Sequence, residues 1–269
     1  MIVFFVLPSL LLFVYSFWQA QTFVITPDFS FDNYTDAATS PVFQVLALNA
    51  VQIGMTAGVI CLAMAIPMAY FQVFVARTQL VYFIVIITWF ASYLVRIYAW
   101  RSLLGTQGLI NTFLVQTGIV AEPLDALLFN SFAVTITLVH IWLPVATLMI
   151  MAAFSDINED LLDAARDLGC GRIRTFFKVV VPNASNGILG AFMLTFILSA
   201  GDYVTPQMLG GTSGQTTGLM IANQFRKTGD WPGGAAQAIM MFLIVAAIYI
   251  ALVLIGRQLG VIPKKAIKR

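Results

Sequence analysis

The stretch from Ser155 to Pro182, SDINEDLLDAARDLGCGRIRTFFKVVVP, is the long polar segment of a chain that otherwise reads as apolar spans. It carries two helical periods separated by a glycine pair. In the first, Leu161, Ala164, Ala165 and Leu168 fall at helical spacing and share one face. Asp156 or Asn158 can cap its start, and Glu159 and Asp160 sit where the positive end of the helix dipole favours acids. Gly169 and Gly171 supply the tight backbone that ends it. In the second, Ile173, Phe176, Phe177 and Val180 repeat the pattern, and Pro182 is expected to stop the helix. Two short amphipathic helices meeting at a sharp corner between membrane spans predict a protruding knob. Its apolar stripe suits the groove of another protein.

Composition sets the context for that knob. The chain has 269 residues, of which 60% are hydrophobic and 10% charged, and its mean hydropathy is +0.90. A spanning helix needs about 20 mostly apolar residues. The sequence accommodates spans over roughly 1–20, 43–75, 79–100, 129–153, 187–206 and 235–256. The expectation is therefore an all-α, polytopic membrane protein of about six transmembrane helices, forming one domain over 1–269, with the knob at about 155–182. A net charge of +2 gives no reason to expect a nucleic-acid partner. Cys61 lies in an apolar run and Cys170 in the polar segment, which is neither a disulfide framework nor a metal spacing. Met1 to Trp18 lacks the basic lead and small-residue cleavage site of a signal peptide. It reads as a retained span, with room for a short cytoplasmic lead ahead of it.

Orientation follows from the placement of the basic residues. With both termini cytoplasmic, the inner side holds Arg77, Arg166, Arg172, Arg174, Lys178, Arg257, Lys264, Lys265, Lys268 and Arg269, ten of the fourteen Lys and Arg. The opposite orientation would hold only Arg96, Arg101, Arg226 and Lys227 inside. Both termini and the knob are thus expected on the cytoplasmic side.

The knob also resembles a known family. Asp163-Ala164-Ala165, Gly169 four residues after Ala165, then Val179, Val181 and Pro182 are similar to the EAA loop of ABC-importer permeases, E-A-A-x3-G-x9-I-x-L-P. Asp163 stands for the glutamate, and this shorter acid reaches less far; Val179 and Val181 stand for the isoleucine and leucine. The resemblance implies a type I ABC-importer permease fold. It makes Asp163, Ala164, Ala165, Asp167, Gly169 and Pro182 the residues that couple to a cytoplasmic ATPase.

Two further stretches resemble the spermidine/putrescine-type branch of these binding-protein-dependent permeases. They are SYLVRIYAW (92–100) with LLGTQGLIN (103–111), and GDYVTPQMLGG (201–211); FSFDNYTD (29–36) is also similar. The branch implies a second homologous permease, forming a heterodimer, two ATPase subunits and an extracytoplasmic substrate-binding protein, in a bacterial inner membrane. It implies a polyamine solute, with an opine or amino-acid-like solute as the alternative. Outside the family, a secondary transporter or channel subunit would need paired interrupted helices at matching half-positions.

No catalytic constellation is present in the sequence. His140 lies mid-span without a Ser or Cys partner at motif spacing, and reads as a packed or pore-facing polar group. GGTSGQTTG (210–218) lacks the lysine of a phosphate loop and reads as a flexible outer loop. ATP and magnesium are therefore expected on the partner ATPase, with no cofactor and no metal in this chain.

The polar and aromatic groups near span ends are the candidate solute path: Trp89, Tyr93, Arg96, Tyr98, Trp100, Asp202 and Tyr203. Each has a plainer reading. Arg96 could snorkel to the headgroups, Asp202 could bond a helix end beside Gly201, and the aromatics could form an interfacial belt. As path residues, the aromatic faces suit an organic cation. The acids Asp28, Asp32, Asp36, Glu122 and Asp125 add negative charge to the expected outer side.

Overall fold

In a computed structural model of the chain, residues 2–21, 24–76 and 79–258 are described. Of the basic residues that orient the chain, Arg77, Lys264, Lys265, Lys268 and Arg269 lie outside the described residues. The fold is helical apart from a short antiparallel hairpin. Helix α1 (Ile2–Tyr15) leads to strands β1 (Gln19–Gln21) and β2 (Val24–Thr26), and then to α2 (Asp32–Thr39) and α3 (Pro41–Tyr70). The pair α4 (Gln79–Phe90) and α5 (Tyr93–Leu104) is followed by α6 (Leu109–Gln116) and α7 (Ser131–Ser155). The knob helices are α8 (Glu159–Asp167) and α9 (Arg172–Thr175). The chain closes with α10 (Val181–Ala200), α11 (Val204–Leu209), α12 (Thr217–Asn223) and α13 (Trp231–Gln258).

Among the described residues, four helical runs are long and apolar enough to cross a membrane: Pro41–Ala76, Ser131–Ser155, Arg172–Ala200 and Trp231–Gln258. They correspond to predicted spans two, four, five and six. Predicted span three is not one straight helix: Tyr82–Phe90 and Tyr93–Gln116 meet at a 90° bend. Predicted span one is represented by the 14-residue α1, which at 1.5 Å per residue is about 21 Å long.

The chain divides into two compact units. One comprises Met1–Met55, Ile97–Thr137 and Leu198–Ala247; the other comprises Thr56–Arg96, Leu138–Ile197 and Ile248–Arg269. Every cut falls inside a helix, namely α3, α5, α7, α10 and α13.

In the unit that carries the knob, small residues let helices approach closely, as membrane packing requires. Ala57, Cys61, Ala65 and Ala69 recur every four residues along α3, and all are fully buried. A β-carbon on Gly58 would lie 2.8 Å from the ring of Phe192 on α10, and one on Gly187 would collide with the Ala153 methyl on α7. The Cys61 thiol faces the Val139 carbonyl of α7 at 3.6 Å. Where α3, α7 and the base of the knob meet, Tyr70 packs edge-on against Phe176 (5.4 Å), and Phe74 packs against Phe154 (5.8 Å).

In the other unit, polar side chains fasten the connecting segments. The fully buried Asn111 donates to the carbonyls of Gly105 (3.0 Å) and Leu124 (3.2 Å) and accepts from the Leu124 amide (2.8 Å). Ser16 and Tyr34 share a 2.6 Å hydroxyl contact beneath a cluster of Phe17, Phe29 and Phe31. The glycine-rich segment 210–218, expected as a flexible loop, is instead a packed turn. Gly214 donates to Gly210 at 2.7 Å, and Ser131 Oγ donates to the Ser213 carbonyl at 2.8 Å. A β-carbon on Gly210 or Gly214 would strike backbone at 2.5–2.6 Å. Here glycine serves close backbone approach rather than freedom.

Candidate functional site: the knob and the broken span

The knob begins where Asn158, rather than Asp156, caps α8: its side-chain oxygen accepts from the Asp160 amide at 3.0 Å. Glu159 and Asp160 occupy the first turn, as the dipole favours. At the other end Gly169 adopts φ +76°. Its amide donates to Arg166 O (2.8 Å), and the Cys170 amide donates to Ala165 O (2.9 Å). This pair of bonds is the Schellman arrangement, which closes the helix and sets the corner. Gly171 then precedes α9.

The expected shared apolar face is split. Leu162 and Ala165 are buried against the unit, whereas Leu161, Ala164 and Leu168 point outward. Leu168 is 84% exposed, and beyond the corner Ile173 is 77% and Phe177 64% exposed. An open apolar ridge therefore runs over the corner, beside the exposed Asp163 and Asp167. The Asp163 carboxylate accepts from Arg166 at 2.8 Å, one turn away. That pair is exposed, so its contribution to stability is small.

Pro182 does not stop the second helix. Arg172 to Ala200 form one continuous helical run, so the second short helix is the base of the predicted fifth span. The Pro182 nitrogen has no hydrogen for the Lys178 carbonyl. The chain absorbs this with a wider π turn over Phe176–Val180, in which the Val181 amide donates five residues back to Phe176 O. Pro182 itself is half-buried.

Behind the ridge is a cavity of about 320 Å3, lined by Tyr70, Phe74, Glu159, Asp163, Arg166 and Arg172 among others. Tyr70 ends α3 and Phe74 lies in the π-helical turns Phe71–Ala76 that follow it; neither is marked by any spacing within 155–182.

The solute-path candidates fall into both units. Trp89, Tyr93 and Arg96 belong to the unit with the knob; Tyr98, Trp100, Asp202 and Tyr203 belong to the other. In the first unit, Arg96 does not snorkel. It is 6% exposed. Its Nη1 donates to the Ile141 carbonyl of α7 at 3.0 Å. Its Nη2 donates to Ala91 O at 2.9 Å and to Trp89 O at 3.4 Å. Trp89 packs 6.2 Å from Trp142, a neighbour that the sequence reading did not single out.

In the second unit, the Asp202 carboxylate accepts from the amides of Val204 (3.1 Å) and Thr205 (3.2 Å), the helix-end bond expected beside Gly201. Thr216 Oγ1 donates to the Asp202 carbonyl at 3.2 Å. The Arg226 guanidinium lies 5.9 Å above the Tyr203 ring, so that aromatic face already holds a cation. Tyr98 is exposed and Trp100 half-buried.

Comparison with known proteins bears on the whole chain. It is 30% identical over 266 residues to the spermidine/putrescine transport system permease protein PotB of Haemophilus influenzae, covering 96% of this chain and 92% of the relative. Against the protein of the same name from Escherichia coli strain K12 it is 29% identical over 248 residues, covering 91% and 90%. Its fold matches a chain of a bacterial alginate ABC transporter crystallised in complex with an alginate pentasaccharide-bound periplasmic protein. That match has a TM-score of 0.75, 14% identity and coverage of 98% of this chain and 92% of the other. The type I permease fold expected from the knob is thereby borne out. Residues 1–261 match the model of the binding-protein-dependent transport system inner membrane component, and the chain, a multi-pass inner-membrane permease, belongs to that family.

Proposed function

We propose that this chain is the permease subunit of an ATP-driven importer of polyamines such as spermidine and putrescine. The relatives named for spermidine/putrescine transport, similar over nearly the whole chain, support the solute class. The single observation that carries the mechanism is the open apolar ridge over Gly169, from Leu168 to Phe177, on a corner where α8 is closed by its own backbone bonds. A cytoplasmic ATPase docks there, holding ATP and magnesium, and Ala164 and Gly169 allow its close approach. Asp163, Ala165 and Asp167 complete the coupling face, and Pro182 marks where that face passes into the span. In this reading both termini are cytoplasmic.

A loaded binding protein docks on the opposite side, where Asp28, Asp32 and Asp36 attract basic groups. Closure of two ATPase subunits moves the knob. The spans then rock about a path shared with a second, homologous permease. Trp89, Tyr93, Tyr98 and Trp100 offer aromatic faces to the ammonium groups, and Asp202 offers negative charge, whereas the face of Tyr203 is taken by Arg226. Solute competition tests the class. Labelled spermidine uptake by the reconstituted complex is expected to be suppressed by putrescine and unaffected by octopine or glutamate. Suppression by octopine or glutamate alone would refute the polyamine assignment.

A further inference from the structure

The bend between α4 and α5 is an energetic problem that one side chain addresses. The last carbonyls of a helix have no partner within it, and at membrane depth no bulk water replaces one. Nothing in WFASYLVRIYAW contains Pro or Gly, the usual causes of a sharp break. Yet the helix stops at Phe90 and restarts at Tyr93 with a 90° change of direction. The carbonyls of Trp89 and Ala91, at the break, both accept from Arg96 Nη2, while Nη1 reaches across to Ile141 on α7. Pro144, three residues further along α7, has no N–H for the carbonyl of His140, so the guanidinium meets α7 in the turn that its proline loosens. One planar guanidinium thus joins a broken helix to the proline-bearing helix beside it. Lysine, with a single ammonium point, cannot span three carbonyls in this way.

We infer that Arg96 is a positioning residue: it holds the α4–α5 bend against α7 and so sets where Trp89 and Tyr93 stand, and it does not bind the solute. Among its nitrogens only Nε lacks a partner among the described residues. This assignment concerns the bend and does not depend on which solute is carried.

The test uses the complete complex in nanodiscs and liposomes, with R96M, which keeps bulk and removes every donor, and R96K, which keeps charge without the fork. In hydrogen-exchange mass spectrometry, R96M is expected to speed exchange about ten-fold around residues 88–96 and 141–145 and to leave the knob unchanged. R96K is expected to fall between R96M and the wild type. With spermidine as the probe, the maximal uptake rate of R96M should fall on the order of ten-fold, with R96K between R96M and the wild type. Unchanged exchange in R96M, or an R96K that matches R96M in both readouts, overturns the assignment. If R96M does not assemble, R96K carries both readouts. Wild-type complex that takes up no spermidine refutes the polyamine reading alone, and the exchange result still decides the role of Arg96.

Discussion

The Cys170 amide donates to the Ala165 carbonyl at 2.9 Å, across a Gly169 held at φ +76°. This bond fixes the direction in which the knob turns. It therefore fixes the relation between Leu168 on one side of the corner and Ile173 on the other. A β-carbon at Gly169 would meet nothing within 4 Å, so the cost of substitution is backbone strain alone. For alanine or valine in the left-handed region that is about 1–2 kcal/mol, and less for asparagine. ATPase co-purification is expected to rank Gly169, then Asn, then Ala, then Val. A valine variant that holds the ATPase as the wild type does would refute this reading of the corner.

Leu162 within α8 and Leu168 at its C-terminal cap should behave oppositely. Leu168 is 84% exposed and Leu162 8%. Leu168→Asp is expected to leave the protein folded in the membrane while ATPase binding weakens by about 2 kcal/mol or more, the scale of an interface hot spot. Leu162→Asp places a carboxylate in the packed face and should destabilise the permease itself. Melting curves in detergent, read beside ATPase pull-down, separate the two effects. Equal melting losses in both variants would contradict the split of the helix face.

Packing between α3 and α10 gives a third expectation. Gly58→Ala sets a methyl 2.8 Å from the Phe192 ring, an overpacking worth about 1–3 kcal/mol. Phe192→Leu should relieve part of it. The double variant is then expected to melt above the sum of the single losses, by an amount equivalent to at least about 0.5 kcal/mol. Strict additivity would mean that the two positions do not share space.

Orientation is open to a thiol assay. Cys61 is fully buried, whereas Cys170 is partly exposed at the knob. A membrane-impermeant maleimide should label inverted vesicles, leave spheroplasts unlabelled, and lose its target in Cys170→Ser. Excess ATPase should protect the thiol. Labelling of intact spheroplasts would invert the topology.

The knob was legible because its signals are local. A capping asparagine, acids in the first turn, and two glycines at the corner each act within a few residues. The continuation through Pro182 was not legible, because a proline need not end a helix whose neighbouring turn adjusts, and here the turn over Phe176–Val180 widens to a π turn. Nor does WFASYLVRIYAW announce its bend. The bend depends on Arg96 meeting Ile141, 45 residues away. The arginine in an apolar run was the visible mark, and its three acceptors were not. Likewise the glycines of 210–218 look flexible in isolation, and only the backbone that closes on them, Phe129 against Gly211 and Gly210 against Gly214, shows why they are small.

The most direct test of the central claim is spermidine uptake into liposomes bearing the complete complex, with binding protein outside and ATP inside, each omitted in turn. Uptake that requires both, and that is abolished by Leu168→Asp in this chain, is the result expected of a permease driven through its knob. Uptake that persists without the ATPase would contradict it.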